Sequence, residues 1–342
     1  MDLGARKQQI VSAIVAAYIR TGEPIGSKAL VEALQQAVSS ATIRNDMAEL
    51  AAAGFLEQPH TSAGRIPTAK AFRLYIDRLM SCSPLSEDNK REVDDALASA
   101  AGDPDRLMEQ ASDLLAQSTG VAALAATPNR KESCIRRIEV LTAGSHTVAV
   151  LLMTDNGGVR SRVCRLGVEC DSEMLHRISE TLNTTFVGCA LSMVGTAQMQ
   201  ALFVQLGNDA LSYAPVVTAF ADLATEMAQA EVRLAGEWNL LQHPDYPLDR
   251  ARSLLGFLSQ REWLSGMLAA HPEGVRVVLG SESSLPELAG SCIIMTRYAV
   301  GDGHSGSLGL IGPVRMDYAR AIPHLQYVAQ SVGRLLSRRT AE

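Results

Sequence analysis

The chain has 342 residues, more than one typical hydrophobic core accommodates, and 47% of them are apolar, so two or three domains are expected. With 31 Lys and Arg against 37 Asp and Glu its net charge is −6, which excludes a protein that coats nucleic acid non-specifically over its whole surface. No run approaches the roughly 18 apolar residues of a membrane helix and the first residues lack the pattern of a secretion signal, so no membrane partner is expected and the expected location is cytoplasmic.

Taken in chain order, RKQQIVSAIVAAYIRTG places Ile10, Val11, Ile14, Val15 and Tyr18 at helical spacing and ends on Gly22. EPIGSKALVEAL starts a second helix near Ser27, with Leu30, Val31 and Leu34 inward. SSATIRNDMAEL, residues 39–50, then puts Ile43, Met47 and Leu50 on one face of a third helix, for which Ser39 or Ser40 is the expected N-cap. The opposite face carries Ala41 and Asn45, flanked by Thr42 and Arg44. Asn and Arg suit base edges, Ser and Thr suit phosphates, and the small neighbours keep the face narrow enough for a major groove. An ordinary solvated helix has the same pattern, and the following residues separate the two readings. Gly54 ends the run, FLEQ reads as a strand, HTSAG as a turn with positive φ expected at Gly64, and RIPT as the returning strand. TAKAFRLYIDRLM resumes helical spacing through Phe72, Ile76 and Leu79, with Arg73 and Arg78 polar. Three helices, a hairpin and a helix predict a winged helix-turn-helix over residues 1–81 that binds double-stranded DNA. The expected contacts are Ser39, Ser40, Thr42, Arg44 and Asn45 from the helix and His60, Thr61, Ser62 and Arg65 from the wing. Residues 1–80 hold nine Lys and Arg against seven Asp and Glu, so the basic character lies in this segment.

Residues 82–104, rich in Ser, Asp, Glu and Ala between two prolines, read as a linker with a polar helical middle. A helix follows over about 105–118 with Leu107, Ala111 and Leu114 inward, and then come strands, with Asn156, Gly157 and Gly158 supplying a hairpin turn. Residues 171–272 turn helical and rich in Met, Leu and Ala, before strands resume at VRVVLGSES, SCIIMTRYAV and SLGLIGP and an amphipathic helix closes the chain. The expected class is therefore α+β and multidomain, with a mixed α/β domain made from 105–170 and 273–342 and a largely helical insertion over 171–272.

No enzyme site can be read. GDGHSGSLGLIGP lacks phosphate-loop spacing and reads as a glycine-rich hairpin, the seven histidines are dispersed, and no nucleophile-base or paired-carboxylate arrangement stands out. Six scattered cysteines without C-x-x-C or zinc spacing read as reduced thiols, so no metal and no cofactor is expected. Trp238 and Trp263 read as core or interface residues.

Three segments carry a resemblance. GEPIGSKAL, VSSATIRNDMAELAAAGFLEQPHTSAGRIPT and GSLGLIGPVRMDYARAIPHLQYVA, at the two ends of the chain, resemble the characteristic segments of the HrcA family of heat-inducible transcription repressors. Departures are small: Asp46 stands where Glu is usual, and Ala71 and Phe72 where Gly and Tyr are common. The resemblance implies a GAF-like domain and an inserted dimerising domain beside the winged helix. It also implies repression of chaperone operons by a homodimer bound to an inverted-repeat operator called CIRCE, activity promoted by the GroEL chaperonin, and relief on heat shock. The other reading kept open is a metabolite-responsive winged-helix repressor whose GAF-like sheet binds an effector.

Overall fold

The computed structural model describes residues 3–34, 39–60, 63–128, 133–155, 157–228, 231–269, 274–301 and 304–340. It is α+β, and its contacts separate two compact units: residues 1–126, 232–300 and 307–338 form the first, and 127–231 with 301–306 and 339–342 the second.

The first unit begins with helix α1 (Ala5–Thr21), whose Ile10, Val11, Ile14 and Val15 are fully buried. Gly22 terminates it with φ 71°. This left-handed C-cap is tolerated by glycine because it lacks a Cβ. Helix α2 (Ser27–Leu34) and helix α3 (Ser40–Ala52) pack on it through Leu30, Ile43, Met47 and Leu50. Strands β1 (Leu56–Glu57) and β2 (Ile66–Pro67) pair antiparallel, and helix α4 (Ala69–Leu74) continues through a π-helical turn to Leu79. Phe72 on α4 is buried as expected, whereas Arg73 is not simply solvated, because its guanidinium bonds to Glu282 and to the Val277 carbonyl.

The stretch read as a linker with a polar helical middle does carry that helix, but the helix is packed. Ser86 caps helix α5 (Glu87–Ala98) by accepting from the Asn89 N–H, and Val93 and Leu97 are buried in the same core as α1 and α3. Two apolar residues four apart are enough to seat a helix whose other faces are charged. Helix α6 (Pro104–Thr119) follows, capped by Asp103. It buries Leu107, Ala111 and Leu115, with Leu114 only half-buried.

Strand β3 (Ala122–Ala126) lies inside a five-stranded sheet, between strands β10 (His304–Pro313) and β7 (Val232–Ala235), with strands β9 (Ser291–Val300) and β8 (Arg276–Leu279) completing the order β7-β3-β10-β9-β8. All five β3 residues are buried, Ala123 and Ala125 towards one core and Ala122, Leu124 and Ala126 towards the other. A strand covered on both faces reads as a continuous apolar run, as this one does. One face carries α6 and helix α13 (Tyr318–Thr340); the other carries helices α10 (Glu237–Gln242), α11 (Leu248–Leu258) and α12 (Arg261–Ala269), with Leu254, Phe257, Leu264 and Leu268 buried. Trp263 packs edge-on against Phe257 at 4.5 Å, whereas Trp238 is 71% exposed and so is not a core residue.

The second unit has its own sheet, order β4-β5-β6, from strands β4 (Ile135–Gly144), β5 (Thr147–Thr154) and β6 (Val159–Arg165). Alternate β5 residues Val148, Val150 and Leu152 are buried against helices α7 (Ser172–Phe186) and α9 (Ala210–Ala228), with helix α8 (Thr196–Leu206) beside α9. The Phe186 and Phe220 rings meet at 4.8 Å. Strand β4 is an edge, and the Asn183 side chain from α7 partners it as another strand would, accepting from Ile138 N–H at 3.0 Å and donating to the Ile138 carbonyl at 2.6 Å.

The division thus falls at 127 and 231 rather than at 171 and 272. A change from strand to helix in the sequence is not a domain boundary here. Strands β4 to β6 share one core with α7 to α9, and β7 rejoins the first unit by pairing with β3. Among the described residues no helix is long and apolar enough to cross a membrane.

Candidate nucleic-acid interface

Ser39 caps α3: its backbone is extended, and its hydroxyl accepts from the Thr42 N–H at 3.2 Å and shares a hydrogen bond with the Thr42 hydroxyl at 3.0 Å. Ser40 and Ser27 share a hydroxyl bond of 3.0 Å, tying the starts of α3 and α2 together. The four hydroxyls keep spare lone pairs, at the ends of the two helices where the macrodipole is positive. One turn further on, Arg44 and Asn45 are exposed, with exposed Ala41 and Ala48 on either side of them. The outer face is therefore one cation and one amide on an alanine background.

The acidic residues of α3 are held elsewhere. Asp46 is buried, not solvated, and takes two bonds from Arg6 on α1, Nε to Oδ2 at 2.8 Å and Nη2 to Oδ1 at 3.1 Å. Glu49 pairs with Lys7 at 2.5 Å. Two cations of α1 thus neutralise the two carboxylates of α3, and Arg44 is left as the net charge of its outer face. A carboxylate at a core-facing helical position was legible at Asp46, since it lies next to Met47 and three residues after Ile43; its partner forty residues upstream was not.

The hairpin after α3 is built differently from the expectation. Gly64 does not have positive φ; a Cβ there would lie 2.5 Å from the Ile25 carbonyl carbon and oxygen. The glycine is required by close approach, because the Arg65 backbone pairs with Ile25 through two bonds of 2.9 Å and so adds a third strand segment to the hairpin. Gln58 Nε2 donates to the Ala63 carbonyl at 3.0 Å across the loop. His60 is exposed at the tip, and Thr61 and Ser62 lie outside the described residues.

These elements enclose a cleft of about 550 Å³ lined by Lys28, Arg44, Gln58, Gly64 and Arg65. Helix face and hairpin thus converge on one groove with three long cations, none of which forms an ion pair among the described residues. The arrangement can hold a run of phosphates against helix and hairpin together. Lys28 was absent from the sequence reading, although it had a signal: a cation in the first turn of α2 opposes the helix dipole and calls for a use outside the helix.

The comparisons with known proteins bear on the whole chain. Residues 105–322 match the family model described as the HrcA protein C-terminal domain. The heat-inducible transcription repressor HrcA of Geobacter sulfurreducens is 33% identical, with 98% of each chain covered. The chain belongs to the HrcA family. The HrcA repressor of Mycolicibacterium smegmatis is 34% identical over 98% of each chain, and that of Desulforudis audaxviator 32% over 99% of each. A crystal structure of a hypothetical protein, 24% identical, superimposes with a TM-score of 0.66 over 98% of this chain and 99% of that one, so the fold extends over the full length. The HrcA relatives are named as repressors, not enzymes, and among the described residues no cluster of His, Cys, Asp or Glu could hold a metal. The cysteines are free thiols; burial pushes Cys164 up and Cys292 up to about 12, away from a reactive thiolate.

Proposed function

We propose that this HrcA-family chain represses transcription by binding, as a homodimer, an inverted-repeat operator of the CIRCE type ahead of chaperone operons. The observation that carries the reading is the groove in which Arg44 on α3 faces Lys28 and Arg65 while the α3 carboxylates are neutralised by α1. In this reading residues 1–81 are a winged helix-turn-helix: α3 enters the major groove with Asn45 and Arg44 towards base edges, Ser39, Ser40 and Thr42 meet phosphates, and His60, Thr61, Ser62 and Arg65 of the wing reach the adjacent backbone or minor groove. The five-stranded sheet with its helices is the GAF-like domain.

An inverted repeat calls for two-fold symmetry. The second unit offers apolar side chains for it: Val204 is 81% exposed, Leu211 89% and Met193 56%, and a second copy that covered them would remove apolar surface from water. Dimerisation through this unit, promotion of the active state by GroEL and loss of activity on heating complete the proposal. The test is binding to a promoter fragment carrying the inverted repeat, with and without chaperonin. Tight binding to the repeat, lost when one half-site is scrambled and raised by chaperonin, is expected. Equal binding to an unrelated fragment of the same length would overturn it.

A further inference from the structure

We propose that the cleft between β9 and α13 is a binding site for a small organic polyanion. The cleft measures about 840 Å³, the size of a metabolite pocket, and lies wholly within the first unit. Three arginines line it: Arg297 from β9 and Arg334 and Arg338 from α13. Its other polar walls include Thr296, Gln326, Tyr327, Gln330 and Ser337.

The charges do not cancel. Asp94 on α5 accepts from the Tyr327 hydroxyl at 2.8 Å, the Ser331 hydroxyl at 2.8 Å and Arg334 Nη2 at 3.1 Å. One carboxylate is therefore used on one arginine. Arg297 and Arg338 have no ion pair among the described residues, and the Nε of Arg297 is buried without any hydrogen-bond partner. A buried guanidinium nitrogen left unpaired is costly, and the partner that the chain does not supply to it can be supplied by water or by a bound anion. Two uncompensated guanidiniums beside a roomy cleft suit a ligand with at least two negative charges, since guanidinium pairs carboxylate and phosphate oxygens bidentately. Gly333 draws the helix onto the strand here, because a Cβ at that position would stand 2.6 Å from the Ala299 carbonyl. Mid-helix glycine is unfavourable by itself, so the close approach that shapes the cleft accounts for it.

The test is calorimetric titration of the full chain at constant ionic strength with citrate, pyrophosphate and adenosine monophosphate, using adenosine as the neutral control. At least one of the three anions is expected to bind saturably, one per chain, while adenosine alone does not. Affinity should drop at least about tenfold in Arg338→Ala, where an exposed side chain is removed without touching the core, and in Arg297→Gln. If Arg297→Gln does not fold, Arg338→Ala decides. The absence of saturable binding by all three anions would overturn the proposal, as would binding that survives Arg338→Ala unchanged. Binding lost instead in Arg44→Ala or Arg65→Ala would also overturn it, since the anion would then be sitting in the groove beside α3.

Discussion

Arg73 on α4 reaches Glu282, 209 residues further along the chain, donating from Nε to Oε1 at 2.8 Å while Nη2 also donates to the Val277 carbonyl at 2.9 Å. A second arginine does the same from the other side. Arg315 pairs with Asp245 and donates from Nη1 to the Ile19 carbonyl at 3.3 Å, beside the glycine that ends α1. The N-terminal helices are therefore fastened to the five-stranded sheet by polar clamps at α1 and α4, with Phe72 packed near Tyr318 between them at 6.5 Å.

The clamp gives a pH dependence. Burial by itself would raise Glu282, but bonds from the Arg73 guanidinium and the Leu279 N–H outweigh it and hold the carboxyl below its ordinary value of 4.5. A carboxylate with a depressed folded pKa contributes stability that is present above the ordinary value and is lost as pH falls through the lowered one. Glu282→Gln should therefore cost about 1 kcal/mol at neutral pH, because the side chain is partly solvated and its pair is screened. The gap to wild type should close as pH falls below the ordinary value of 4.5 and through the lowered one, where the wild-type carboxyl protonates. Thermal melts at a series of pH values check this, and a gap that stays constant into acid would dissociate Glu282 from the clamp.

Asp46 makes a sharper prediction, because it is buried and its partner is not. Asp46→Ala should lower stability by about 1–3 kcal/mol, since it removes two charge-assisted bonds and leaves a hole beside Met47. It should also leave Arg6 unpaired near α3, so non-specific DNA affinity should not fall with stability. Asp46→Glu, which keeps the charge, should lose much less. Denaturant titration of the three proteins distinguishes these outcomes, and equal stability for all three would mean that the pair is worth nothing.

The N-terminal helices were readable because each signal is local: apolar spacing in α1 and α3, a serine cap at Ser39, a terminating glycine at Gly22. The groove was half-readable. Arg44 and Arg65 sit in recognisable segments, but Lys28 joins them only because Gly64 lets the Arg65 backbone pair with Ile25, an approach that no short-range pattern encodes. The unit boundaries failed for the same reason. Whether β4 to β6 pack with α7 or with β3 depends on groups meeting far apart in the chain, such as the Asn183 side chain with the Ile138 backbone, and composition along the sequence does not record such meetings.

For the groove itself, Asn45→Ala and Arg44→Ala should each weaken binding to the inverted repeat by about 1–3 kcal/mol while leaving the melting temperature unchanged, since both side chains are exposed and neither has a structural partner among the described residues. Asn45→Ala should also relax base preference at one position of each half-site. Binding titrations against single-base operator variants test this, and wild-type affinity in Asn45→Ala would remove α3 as the reading helix.

Lys28 and Arg65 should behave differently from these two. As phosphate contacts, each alanine substitution should lower affinity for all sequences alike and reduce the slope of log K against log salt by about one unit. Arg65 lies beside a backbone pair that survives the substitution, so the hairpin should remain intact. If Arg65 instead enters the minor groove, sequence preference next to the helix site will shift as well. An unchanged slope in both variants would leave the cleft without phosphates.

The last prediction concerns the second unit. Leu211 and Val204 are the most exposed large apolar side chains among the described residues, and both sit on helices whose opposite faces are filled by Leu202, Val216 and Phe220. Their inward neighbours account for the fold, so they are free to be covered by a second copy without any change in the core. Leu211→Glu should therefore leave the monomer's melting transition in place, since nothing buried is touched, but place a charge where two chains would meet. Sedimentation should show monomers at concentrations where the wild type is dimeric, and affinity for the full inverted repeat should fall towards that for a half-site, because the second head no longer arrives tethered to the first. A Leu211→Glu protein that remains dimeric and binds the repeat normally would move the interface away from α8 and α9 and return these side chains to the status of solvated apolar surface.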